Sequence, residues 1–169
     1  FARARERLEA TPDPLDEGRL EEGAAASRLA LGDPDGALER ALRALELLSS
    51  VGSARGRCSA LHLAGRAALA RGRLDEADRL LREAETVLGT FEAPWRRADL
   101  AVSRLELALA AGRLDEAARC QAEAADCAQK WNDRPALARL LGVQAEHLRR
   151  SGKAAQADAF YRRALTALR

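Results

Sequence analysis

Two histidines, three cysteines and two Asp-Glu pairs are the side chains whose types could do chemistry, and their spacing supports none. His62 and His147 lie eighty-five residues apart, far from the i, i+4 pairing that turns two imidazoles on one helix face toward a zinc ion. Cys58, Cys120 and Cys127 are odd in number and form no C-x-x-C pair, so neither a disulfide framework nor a zinc site is indicated. Cys120 and Cys127 would sit roughly 10 Å apart along one helix, beyond disulfide reach. All three read as small core residues in a reducing, cytoplasmic setting. Asp75-Glu76 and Asp115-Glu116 could supply an acid and a base, but they recur forty residues apart. That recurrence fits negative charge placed at helix N-termini. There is no glycine-rich phosphate loop, no G-x-S-x-G and no H-E-x-x-H. No catalytic residue, metal ligand or cofactor is assigned, and the chain is not expected to be an enzyme.

What would position such residues is a repeat. Gly32, Gly72, Gly112 and Gly152 are forty residues apart; each is followed at +5 by alanine (Ala37, Ala77, Ala117, Ala157) and at +12 by another (Ala44, Ala84, Ala124, Ala164). Apolar content of 47% is carried by Ala and Leu, charged content of 32% mainly by Arg and Glu, and aromatics are 4%, a palette of helix formers. Leu74, Ala77, Leu81, Ala84 and Leu88 step by three and four, a helical stripe. The fold predicted is all-α: a right-handed superhelix, or α-solenoid, of antiparallel helix pairs with about nine helices. Net charge is +2, with basic and acidic residues interleaved. Clusters such as Arg96-Arg97, Arg149-Arg150-Lys153 and Arg162-Arg163 have no interleaved aromatics for base stacking and read as solvated faces rather than a nucleic-acid surface. No run approaches eighteen apolar residues, so no membrane partner is expected.

In register, residues 1–10 fall in the columns of a second helix, so the segment is expected to be one solenoid excised from a longer protein. Four helix-pair repeats follow, at 16–50, 54–89, 94–130 and 134–169. A loop is expected over 11–16 because of Pro12 and Pro14. Asp33 and Pro34 read as N-cap and first helical residue, and each repeat glycine as the left-handed stop of a first helix. On the second helix of repeat one, Ala37, Leu38, Ala41, Leu42, Ala44, Leu45 and Leu48 should face inward. Val51, Phe91 and Trp131 share a column and are expected to plug the base of the interhelical core.

The runs Gly72-Arg-Leu-Asp-Glu-Ala77 and Gly112-Arg-Leu-Asp-Glu-Ala117 resemble the turn and second-helix start of a tetratricopeptide repeat (TPR), which places Ala, a bulky residue and Ala at +5, +9 and +12 from the turn. The chain matches with Ala77, Leu81 and Ala84, and with Ala157, Tyr161 and Ala164; Ala41 and Gln121 depart from the bulky preference. On the first helix the small residue seven before the turn is Ala25, Gly65 and Ala145, but Leu105 in repeat three. Arg104 beside it stands where an apolar residue is expected, and should turn toward solvent or the groove. The forty-residue period is similar to the long repeats of bacterial signal-transduction regulators.

The resemblance implies a non-catalytic interaction scaffold whose first helices line a concave groove. Carried over by counting three, six, ten and thirteen back from each turn glycine, the expected contact residues are Arg19, Glu22, His62, Arg66, Leu69, Asp99, Val102, Glu106, Leu109, Arg139, Glu146 and Arg149, with Leu29 and Ser59 beside them. Such a surface suits a protein, an amphipathic peptide or another domain of the same parent chain. The asparagine and lysine clamp of chaperone-tail binders is missing, since Asn132 is the sole Asn and the sole lysines are Lys130 and Lys153. The alternative is a ligand- or peptide-sensing domain of a bacterial transcriptional activator. Uncapped ends would also allow self-association.

Overall fold

The computed structural model describes residues 13–91 and 93–168, with backbone alone at Pro94 and Trp95. Its eight helices are α1 (Pro14–Ala30), α2 (Pro34–Ser50), α3 (Ala54–Ala70), α4 (Leu74–Leu88), α5 (Pro94–Ala110), α6 (Leu114–Lys130), α7 (Arg134–Arg150) and α8 (Ala154–Ala167). The described residues contain no strand. The ninth helix expected at 1–10 lies outside them. The chain divides into two compact units, residues 1–92 and 93–169. In the first, α1 packs on α2, α2 on α3 and α3 on α4; in the second, α5 packs on α6, α6 on α7 and α7 on α8. Each unit is thus a run of consecutive helix pairs, the all-α architecture of a solenoid.

The helix ends follow from local chemistry. Gly72 takes φ 72°, and the Arg73 N–H donates back to the Ala68 carbonyl at 2.9 Å, closing the first helix with a left-handed residue that has no Cβ to clash. Gly32, Gly112 and Gly152 repeat that geometry. Asp33 caps α2 by accepting from the Gly36 N–H at 2.9 Å, and Asp133 caps α7 by accepting from Ala136 at 3.0 Å. Asp75-Glu76 and Asp115-Glu116 lie in the first turns of α4 and α6, where the helix dipole favours them. One start differs from expectation. Pro14 is the first residue of α1, and Asp13 caps it through the Leu15 N–H at 2.9 Å; a proline at N1 begins a helix because its missing N–H would have had no intrahelical partner.

In the first unit the core is built of alanines that let backbones approach. Ala25, Ala37, Ala41, Ala44, Ala77 and Ala84 are fully buried. Where a leucine intrudes, a glycine receives it: a Cβ on Gly65 would lie 2.8 Å from Leu81 Cγ and Cδ2. In the second unit Ala101, Val102, Leu105, Ala108, Ala117, Ala124 and Leu140 form one cluster, and Ala98, Cys127, Ala128 and Ala136 another. Leu105 is buried where other repeats have a small residue, and Gln121, in the Leu81 column, is exposed. The cysteines are free, Cys58 and Cys127 buried and Cys120 half-buried. Burial raises the Cys127 thiol pKa, with Glu123 and Asp126 adding to the effect.

Three apolar assignments need correction. Leu42 is exposed, because its step on α2 falls outside the stripe that faces α1 and α3. Val51 and Trp131 are 42% and 52% exposed. They plug nothing, because the turns beside them close by backbone: Ser53 N–H donates to Leu48 at 2.9 Å and Asp133 N–H to Ala128 at 2.8 Å, around the left-handed Gly52 and Asn132. Phe91 is half-buried.

Candidate binding surface on the first helices

The repeat register brings the expected contact residues onto α1 and α3 in the first unit and onto α5 and α7 in the second, but not all of them reach solvent. His62 and Val102, the residues ten before their glycines, are 3% and 0% exposed. Both belong to the core, as does Ser59. The counting rule misplaces them because α3 and α5 are buried around most of their circumference between Cys58 and Ala68 and between Ala98 and Ala108, interrupted only at Arg66, Asp99 and Glu106. Leu29, Leu69 and Leu109 are half-buried, and Leu109 packs against the α5–α6 core. Each of these leucines is thus partly withdrawn and partly open to solvent.

What remains on the surface is charged, and much of it is already paired. In the first unit Ser59 of α3 donates to the Glu22 carboxylate of α1, tying two first helices together. Arg19 is exposed, with Asp16 at 3.9 Å. Arg66 is half-buried. In the second unit Arg139 of α7 reaches across to α5. One guanidinium nitrogen bonds Asp99; the other donates to Ser103 Oγ at 2.8 Å and lies 3.6 Å from Glu106. The same helix carries a second cluster. Glu146 accepts from Arg149 at 2.8 and 2.7 Å, from Arg150 at 2.8 Å and from the Tyr161 hydroxyl at 3.1 Å. The arginine hydrogen bonds, Arg149 first, pull the Glu146 carboxyl pKa down to about 2, and Glu146 in turn raises that of Arg149. At neutral pH Glu146 and Arg149 therefore stand as a fixed ion pair.

Arg104 corrects the expectation in the other direction. It does not turn out to solvent; it is 6% exposed and bonded to Glu116 at the start of α6, and Arg113 lies 3.0 Å from the same carboxylate. The acidic first turn of α6 thus neutralises a charge inside the helix pair.

The second unit also has a cleft of about 210 Å³ lined by Arg96, Asp99, Asp133, Pro135, Ala136 and Arg139. Among the described residues no group of three or more His, Cys, Asp or Glu side chains is placed to hold a metal ion, and no helix is long and apolar enough to cross a membrane. Fold and surface together define an all-α array of paired helices. No protein-family model matches the chain, and no curated protein matches it.

Proposed function

We propose that this chain is a non-catalytic tetratricopeptide-like module that binds a protein or peptide through the first-helix faces of its repeats. The observation that carries the reading is the recurrence, at the same two register positions, of a half-exposed polar residue beside a half-exposed leucine: Arg66 with Leu69, and Glu106 with Leu109. Paired ions such as Arg139 with Asp99 hold neighbouring first helices in register and leave a preformed surface, which lowers the ordering cost of binding. An amphipathic segment laid on the first-helix face of either unit would use that unit's leucine for area and its charges for orientation. The cytoplasm of a bacterium, and a regulatory parent protein, are the setting that the long repeats suggest.

The test is photo-crosslinking. A photoreactive residue at position 69 or 109 should capture a partner that the same group at Arg82, on a second helix, does not. The variant Arg66→Glu with Glu106→Lys should weaken that capture at least about tenfold. Equal capture from position 82 would overturn the assignment. The sensing alternative draws on the cleft beside Arg96 and Arg139. Its mark would be a small anionic or zwitterionic ligand that raises the melting temperature, an effect Arg139→Ala removes.

A further inference from the structure

In the first unit Leu48, near the end of α2, fills the junction between the starts of α1 and α3. A Cβ on Gly18 would lie 2.7 Å from its Cγ, and one on Gly56 2.9 Å from its Cδ1. Eighty residues on, the same three positions are Ala98 of α5, Ala128 of α6 and Ala136 of α7, buried together in one cluster. The leucine that closes the junction in the first unit is thus an alanine in the second, without the carbons beyond Cβ. At this second junction lies the cleft of about 210 Å³, with Pro135 and Ala136 as its apolar lining. That volume exceeds the roughly 150 Å³ that admits benzene and falls below the roughly 300–1,000 Å³ of sites for drug-sized ligands. It suits one small molecule and excludes a helix.

Charge narrows the choice. Arg96 and Asp99 line the cleft from α5, Asp133 and Arg139 from the α7 side, and all four are half-buried. Each side therefore carries one charge of each sign. Arg139 and Asp99 are bonded to one another, and Arg139 gives its other terminal nitrogen to Ser103 at 2.8 Å. Arg96 and Asp133 are the remaining pair of opposite sign. Asp133 accepts the Ala136 N–H with one oxygen at 3.0 Å, and a carboxylate or a guanidinium has places for more than one partner. A lone anion would be repelled by the two aspartates and a lone cation by the two arginines, whereas a molecule with one charge of each sign can answer both.

We infer that this cleft is the binding site of a free aliphatic α-amino acid of about the size of leucine, with its carboxylate on Arg96, its ammonium on Asp133 and its side chain against Pro135 and Ala136. The inference rests on the sensing reading of the cleft and names the ligand class. Its failure leaves the first-helix docking surface of the preceding section standing.

The probes are leucine, isocaproate, isoamylamine and N-acetyl-leucinamide, which share one side chain and carry both charges, the negative alone, the positive alone and neither. In an amide NMR titration of the full chain, leucine should bind saturably, shift the Asp99, Asp133 and Ala136 signals, and bind at least about tenfold more tightly than each of the other three. Asp133→Asn keeps a side chain that caps a helix equally well, and Arg96→Gln keeps a polar group of similar reach. Each should weaken leucine binding at least about tenfold while circular dichroism shows the helices retained. Leucine binding that Asp133→Asn leaves intact would overturn the proposal. Isocaproate binding as tightly as leucine would overturn the amino acid and keep the sensing reading with an anion as ligand. N-acetyl-leucinamide binding as tightly would overturn it in favour of a leucine within a peptide chain. Failure of all four probes to saturate at millimolar concentration would overturn both this inference and the sensing reading.

Discussion

Glu146 is where single-residue electrostatics is most legible. Its pKa is held near 2 against an ordinary 4.5 by the Arg149 and Arg150 hydrogen bonds, with Tyr161 assisting. A carboxylate depressed in the folded state contributes stability that is fully present above the unfolded pKa and is lost as pH falls through the folded one. The α7–α8 pairing should therefore weaken between about pH 4.5 and 2. In a carboxyl-carbon NMR titration Glu146 should titrate near 2, and Glu146→Gln should remove that part of the acid sensitivity; a midpoint near 4.5 would contradict the cluster. The Gly65–Leu81 contact allows a packing test. Gly65→Ala forces a Cβ to 2.8 Å from two atoms of a fully buried leucine, an overpacking cost of about 1–3 kcal/mol. Leu81→Ala should cost about 2–5 kcal/mol through its cavity. Because the added methyl would enter space that the leucine vacates, the double variant should cost less than the sum by about 1 kcal/mol or more in urea unfolding. Strict additivity would mean that the two helices do not meet there.

Among elements, the α5–α6 pair contains a buried arginine bonded to a carboxylate where the first two repeats have Ala24 and Ala64. Removing one member of such a pair leaves a charge inside without its counterion, at a cost of about 3–5 kcal/mol. Glu116→Ala should therefore lower stability by about 3 kcal/mol and remain nearly as costly in high salt. Glu83→Ala, which removes an exposed partner 4.0 Å from Arg79, should change it by less than about 1 kcal/mol. Urea unfolding of both variants at low and high salt decides this, and equal small losses would remove Arg104–Glu116 from the energetics. The first helices were readable from sequence because each stops at a glycine in the left-handed conformation, and α4 because of its apolar stripe. The turns between repeats were harder to read. Their left-handed position is Gly52 in one case and Asn132 in the other, and two residue types able to adopt one conformation leave no periodic signal. Arg104 was hard for another reason: its partner sits on the next helix, so its type alone pointed outward. His62 and Val102 occupy positions that a simple helix pair would expose, and only the enclosure of α3 and α5 buries them.

Across the whole molecule, burial is uneven, and local stability should follow it. α3 has ten buried residues between Cys58 and Ala68, and α8 has one, Ala157. In arrays whose stability is a sum of repeat and neighbour terms, the helices with fewest buried contacts open most often. Native-state amide exchange should thus be slowest in α3 and fastest in α8, with α1, which buries only Gly18 and Ala25, between them. Uniform protection along the chain would mean that the array unfolds as one cooperative block. Exchange followed residue by residue therefore separates a locally fraying array from a single cooperative fold.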